Sequence, residues 1–224
     1  MNKKVKVAVL LNGSGHRDGS EIQESVLTLL AIEAVHAEWQ GVALDEYQAK
    51  TLNHYSGAEE GERRNMLIES ARIARGRISD VRSIDVQNFD ALIIPGGSGT
   101  ASNLCDFASS GAEMMVHLEV LNLIRSFHRQ RKPIGGICIA PMLLAGSLKE
   151  HRVTITLGSV DNRAATAAAM MGATTVASGA TEICLDSKNR LVTTPAYMCE
   201  ASIPDIYQGI TKLVQSVTSM ASQT

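Results

Sequence analysis

Pro133-Ile134-Gly135-Gly136-Ile137-Cys138-Ile139-Ala140-Pro141 is the most informative stretch of this chain. An apolar run ends at a cysteine, small residues stand two positions before and after it, and a proline follows. The spacing predicts a buried strand over Ile134–Ile137 that turns sharply at Cys138 into a helix beginning at Ala140. Small residues are needed at 136 and 140 because backbone passes close to its neighbours in such a turn. Pro141 brings a φ already suited to a first helical turn. The pattern follows the strand–turn–helix logic of G-x-S-x-G, with Cys for Ser and Ala for the second Gly. A thiol placed there meets the positive pole of the helix, which is expected to lower its pKa and enrich the thiolate. The competing reading is a small buried hydrophobe, a common fate of free cysteine. The flanking glycines favour a nucleophile.

A second all-apolar strand, Ala91–Ile94, runs into Pro95-Gly96-Gly97-Ser98-Gly99. Glycines at the carboxyl end of a strand free backbone N–H groups to point into the crevice where open α/β sheets bind ligands. Taken alone this is equally a tight turn. Paired with the elbow, the N–H groups of Gly97 and Ile139 are the expected oxyanion donors, with Ser98 beside them as a substrate-binding residue.

Short β-branched runs alternate with longer helical periods along the rest of the chain. Val5–Leu11, Ala43-Leu44, Val153–Leu157, Thr174–Val176, Ile183–Leu185 and Leu191–Thr194 read as strands or strand ends. Helices are expected from Glu21 to His36 with Ser20 as cap, Arg63–Arg75 stopping at Gly76, Met114–Gln130, Ala164–Met171 and Ile203–Met220. Residues 45–62 are polar and read as an excursion. The alternation predicts a doubly wound α/β sheet with helices on both faces, and the absence of any linker or repeat predicts one domain over 1–224.

Glu21 and Glu24 lie three apart on the first helix, so they share a face. Either is a candidate proton carrier beside the thiol, a role that requires burial to raise its pKa. The loop Gly13-Ser14-Gly15-His16-Arg17-Asp18-Gly19 invites a dinucleotide reading with Asp45 as ribose acid. Its third glycine position holds Asp18, so the fingerprint is broken and no nucleotide cofactor is expected. His16 is the one histidine placed near the crevice. The arginines 63, 64, 72, 75 and 77 read as a solvated helix face.

Composition narrows the partners. The chain has 224 residues and a formal charge of -2 from 21 basic and 23 acidic side chains, which leaves no footprint for nucleic acid or anionic membrane. Cys105, Cys138, Cys184 and Cys199 form no CxxC and no zinc-type cluster with histidine, so neither structural metal nor disulfide is expected. The N-terminal run is too short for a secretory signal, and no window supplies the roughly 20 apolar residues of a membrane helix. On these grounds the chain is expected to be cytoplasmic.

Several strings now read together: Asp18-Gly19-Ser20-Glu21-Ile22, Val26–Ala31, Asn65–Gly76 (NMLIESARIARG), Pro95–Leu104 (PGGSGTASNL), Ile137–Pro141 (ICIAP) and Val192–Met198 (VTTPAYM). Over essentially its whole length the chain resembles the ElbB-type glyoxalase family, also known as isoprenoid-biosynthesis-like proteins with an amidotransferase-like domain. That family belongs to the class I glutamine amidotransferase-like folds, with intracellular protease I and the Parkinsonism-linked deglycase. The resemblance implies a flavodoxin-like three-layer sandwich, a homodimer, and cofactor-free conversion of glyoxal to glycolate through Cys138. It implies a glutamate from the first helix bonded to that cysteine, with Glu24 nearest the family position and Glu21 one turn earlier. One departure matters. Many members carry a histidine after the strand that follows the elbow helix, and here Val153–Gly158 has none. That weakens a cysteine amide hydrolase, which needs a histidine base. A redox-sensing or regulatory protein is the other class left open, marked by ready oxidation of Cys138 without turnover.

Overall fold

The computed structural model describes residues 4–223, so Met1–Lys3 of the leading stretch lie outside it. In chain order the first elements are β1 (Lys6–Leu10), α1 (Ile22–Ala34), β2 (Glu38–Ala43), β3 (Thr51–Leu52), β4 (Glu59–Glu60), α2 (Met66–Ala74), β5 (Ile78–Asp80), β6 (Ala91–Ile94) and α3 (Phe107–Ser110). There follow α4 (Leu118–Arg129), β7 (Ile134–Ile137), α5 (Pro141–Ser147), β8 (Thr154–Ile155), α6 (Arg163–Met170), β9 (Thr174–Thr175), β10 (Cys184–Asp186), β11 (Leu191–Thr194) and α7 (Ile203–Ala221).

Seven strands form one sheet in the order β10-β11-β7-β6-β1-β2-β5, parallel throughout except for the β10–β11 pair. Strands buried on both faces lose the polar alternation of a half-exposed sheet, which is why β1, β6 and β7 read as unbroken apolar runs. Successive side chains still point to opposite faces. Val7, Val9, Ile93 and Val192 meet α1 and α7 through Ile32, Ile210, Leu213 and Val217. Ala8, Leu10, Leu92 and Ile94 pack on the other side with Leu123, Ile124 and Phe127 of α4, Leu143 and Leu144 of α5, and Ala168 of α6. The result is a mostly parallel three-layer α/β sandwich of flavodoxin-like type.

From β1 the chain steps outward through β2 to β5, then returns to place β6 on the opposite side of β1. The connections leaving β1 and β6 therefore diverge to opposite faces, opening a crevice at their carboxyl ends. The loop after β1, the glycine loop after β6 and the elbow after β7 all arrive there.

Two local expectations need correction, and Asp45 of the broken fingerprint has a structural partner. The helix placed over Met114–Gln130 begins only at Leu118, because Val116 pairs with Cys105 in an isolated bridge and His117 Nδ1 caps by accepting the Glu119 N–H at 3.3 Å. Ser20 does not cap α1; Glu21 does, while Ser20 Oγ accepts the Asn12 N–H at 2.9 Å. Asp45, the ribose-acid candidate, instead accepts from Asn65 Nδ2 at 2.8 Å, anchoring the start of α2.

Candidate active site

Cys138 sits at φ +60°, in the left-handed region that costs a side-chain-bearing residue roughly 1–2 kcal/mol. The surrounding backbone over-determines it. Its N–H donates to Thr194 O of β11 at 2.9 Å, and α5 starts at once with Ala140 as N-cap and Pro141 in the first turn. A Cβ at Gly136 would lie 3.1 Å from Leu144 and 3.3 Å from Pro141 N, which is why the strand reaches the elbow on a glycine.

The glycine loop supplies the next wall. A Cβ at Gly96 would meet Cys138 Cβ at 2.5 Å and Glu24 Oε2 at 2.7 Å. Gly96 is therefore the residue that lets thiol and carboxyl come together. Gly97 follows at φ +103°. This loop is fastened to the loop after β1: Glu21 N–H donates to Gly96 O at 2.9 Å, Ser98 N–H to His16 O at 2.7 Å, and Asn12 Nδ2 to Thr100 Oγ1 at 3.0 Å. The glycine-rich first loop thus clasps the loop after β6.

Capping by Glu21, whose Oε2 accepts the Glu24 N–H at 2.6 Å, sets the first turn of α1 and aims Glu24 inward. Glu24 is fully buried. Its Oε2 accepts the Gly96 N–H at 2.9 Å, its Oε1 accepts the Tyr197 N–H at 3.3 Å, and the carboxyl also bonds to Cys138. Ala196, at φ +43°, turns the chain so that the Tyr197 N–H reaches it. The structure separates the two glutamates: Glu24 meets the thiol, and Glu21 closes the helix end and lines the opening above it.

Burial, aided by the nearby Glu21 carboxylate, pushes Glu24 up to about 8, against the pull of the Tyr197 and Gly96 N–H groups. At neutral pH this carboxyl holds its proton. The Cys138 thiol also moves up, first because it is buried and then because an ionised Glu24 would repel a thiolate. The Gly97 and Ile139 N–H groups pull the other way and are outweighed. The expected lowering of this thiol is thus corrected: donors and helix pole act on a sulfur sealed from water, and desolvation is the larger effect. No histidine is among the groups that shift the thiol.

Beside Cys138 opens a cavity of about 430 Å³, whose lining includes His16, Glu21, Gly97, Ser98, Ile139 and Tyr197 together with Phe107, Ala108 and Arg163. The roles of Gly96, Tyr197, Phe107 and Arg163 escape a reading of the sequence. Gly96 and Tyr197 stand inside the strings PGGSGTASNL and VTTPAYM, which give no sign of their contact with Glu24, and Phe107 and Arg163 carry no signal. Among the described residues no group of three or more metal-type ligands occurs.

A mostly parallel sandwich with a cysteine on a left-handed elbow and a buried glutamate beside it defines a protein of the class I glutamine amidotransferase-like superfamily. The pattern of the DJ-1/PfpI family matches residues 72–196, and the chain belongs to that family, whose members include deglycases and proteases. It is 40% identical over 225 residues to the human glutamine amidotransferase-like class 1 domain-containing protein 3, mitochondrial, covering 97% of this chain and 84% of that protein. The zebrafish mitochondrial ES1 protein is 29% identical over 233 residues, covering 97% and 86%. An isoprenoid biosynthesis protein with amidotransferase-like domain from Ehrlichia chaffeensis superimposes with a TM-score of 0.91 at 34% identity, over 96% of this chain and 99% of that one. The expectation of a cytoplasmic protein is overturned by these relatives, since the human, rat and zebrafish proteins are mitochondrial. Composition and the first residues carry no decisive information on compartment.

Proposed function

We propose that the protein is a cofactor-free glyoxalase that converts glyoxal, and other small 2-oxoaldehydes, to the hydroxy acid through Cys138. One observation carries the reading: a protonated carboxyl, Glu24, bonded to a thiol that faces a cavity under two backbone N–H donors.

A neutral carboxyl is a two-way proton carrier, with one oxygen able to give a proton while the other takes one. The Cys138 sulfur adds to one aldehyde carbon, its proton passes to Glu24, and Glu24 delivers a proton to the carbonyl oxygen. The product is a neutral hemithioacetal, its oxygen within reach of the Gly97 and Ile139 N–H groups. Glu24 next takes the C–H proton of that carbon and protonates the neighbouring carbonyl oxygen, forming an enediol. Returning a proton to the second carbon while the first hydroxyl loses its own leaves a thioester of glycolate. Water then splits the thioester, releasing glycolate and the thiol. A pKa of about 8 suits a group that must both give and take protons near neutrality.

The test is glycolate formation from glyoxal, followed by NMR, with Cys138→Ala as the comparison. Turnover by wild type that disappears in the variant is the expected result. Turnover that survives the substitution, or a wild type that makes no glycolate, overturns the proposal.

A further inference from the structure

Glyoxal has four heavy atoms, and the space over Cys138 is about 430 Å³. A water molecule takes up about 30 Å³ of liquid, so this cavity holds the volume of roughly a dozen waters. A substrate of glyoxal's size leaves most of it filled with solvent. The lining is mixed: Cys138, Gly97, Ser98 and Glu21 share it with the apolar Ala101, Phe107, Ala108 and Met198 and with the guanidinium-bearing Arg163.

Arg163 is held for a purpose that its own contacts do not supply. It is the first residue of α6, whose cap Asn162 is tied down twice: Oδ1 accepts the Ala165 N–H at 2.8 Å, and Nδ2 donates to Leu157 O at 2.9 Å. From there the side chain reaches the cavity lining. It makes one long hydrogen bond, to Ala108 O at 3.4 Å, and stands 5.9 Å from the centre of the Phe107 ring. Among the described residues it forms no ion pair. Glu21, the acid in the same lining, has its carboxylate bonded to the Glu24 N–H at the helix start. A cation with most of its five donors unused, lining the same cavity as a thiol and several apolar side chains, fits a ligand with an anionic end.

We infer that the preferred substrates are 2-oxoaldehydes with a short apolar spacer and a terminal anion, held by Arg163 while the aldehyde meets Cys138. This rests on the glyoxalase reading. The planar fork of Arg163 favours a carboxylate, which it binds with two parallel N–H donors.

The experiment has two arms, so that failure of the parent reading and failure of this one are told apart. In the first, kcat/KM is compared for 4,5-dioxopentanoate and its neutral analogue 2-oxopentanal, in wild type, Arg163→Leu and Arg163→Lys. Wild type is expected to prefer the anionic compound by about two- to fivefold, the scale of a partly exposed charge contact. The ratio falls toward one in Arg163→Leu, and Arg163→Lys retains part of it. A phosphate-ended oxoaldehyde run alongside shows which anion is favoured. In the second arm, Cys138 is alkylated with 5-chloro-4-oxopentanoate and with its amide, which place a reactive carbon at the same spacing from the anion or its neutral counterpart, and the ratio of the two rates is measured; this needs no turnover. Arg163→Leu is expected to lower the carboxylate-to-amide ratio severalfold, and Arg163→Lys to lower it less. A carboxylate-to-amide ratio unchanged in Arg163→Leu overturns the inference even where glyoxal is consumed. A lowered ratio without turnover supports the anion site and sinks only the glyoxalase reading.

Discussion

Cys138 and Cys105 are both buried thiols on loops that leave the carboxyl end of the sheet, and burial raises both. Cys105 is pushed up to about 12. Its sulfur donates to Thr100 O at 3.5 Å, accepts the Phe107 N–H, and otherwise sits in the apolar cluster beneath α4 and α5. Cys138 has the left-handed backbone, two N–H groups aimed at sulfur, a protonated carboxyl in contact and an open cavity in front. Depth does not separate the two cysteines. What separates them is whether a proton has somewhere to go when sulfur forms a bond, and whether a carbonyl can approach.

Removing each thiol in turn puts the most weight on this contrast. Cys138→Ala is expected to cost at least ~10³-fold in glycolate formation, the scale of losing a covalent nucleophile. Cys105→Ala should leave the rate within about threefold and lower stability by about 1 kcal/mol through a small cavity. Equal losses of rate would show that the two sites do not differ as described.

Glu24→Gln comes next, because it keeps the shape of the carboxyl and removes its proton traffic. A loss of ~10²–10³ in kcat is expected. In wild type the rate should decline as pH rises through about 8, where Glu24 loses its proton, and that limb should be absent from the residual activity of the variant.

The same residue sets a stability trend. Folded Glu24 keeps its proton up to about pH 8, whereas the unfolded side chain releases it near 4.5. The folded state therefore binds more protons between those values, and its stability declines as pH rises from about 4.5 to about 8. The contribution is a few kcal/mol at most, by the usual ~1.4 kcal/mol per pKa unit. Chemical denaturation of wild type and Glu24→Gln across this range should show the variant gaining on wild type as pH rises. A constant gap would mean that Glu24 is ionised in the folded protein.

Gly96→Ala keeps every reacting group and acts on the contact between them. The added methyl falls on Cys138 Cβ and Glu24 Oε2, so thiol and carboxyl must separate, at a cost of about 1–3 kcal/mol in stability. Activity should fall further than stability alone accounts for, because the remaining folded protein has lost the thiol–carboxyl contact.

Much of this arrangement is legible in the chain. The apolar runs at β1, β6 and β7 announce strands buried on both faces. G-G-I-C-I-A-P announces an elbow, because a reactive residue crowded by glycine, alanine and proline fits a tight strand-to-helix turn and little else. The helix carrying Glu21 and Glu24 is visible too, though not which of the two turns inward. That depends on the Glu21 cap, the Gly96 and Tyr197 N–H groups and the turn at Ala196, which come from segments up to 173 residues apart. Arg163 and Phe107 are illegible for a related reason: each reads as an ordinary member of its own element until folding puts them side by side in the lining of one cavity.

The layers of the sandwich, the position of the elbow and the identity of its cysteine follow from local periodicity and from where glycine and proline fall, so the linear chain is enough to specify them. The chemical state of that cysteine is settled only when the chain has folded. Its position after a strand and before a helix predicts a lowered pKa, and the folded protein raises it, because exclusion of water is a property of everything packed around the sulfur. The proton missing from a thiolate account is found instead on Glu24, held there by the same burial.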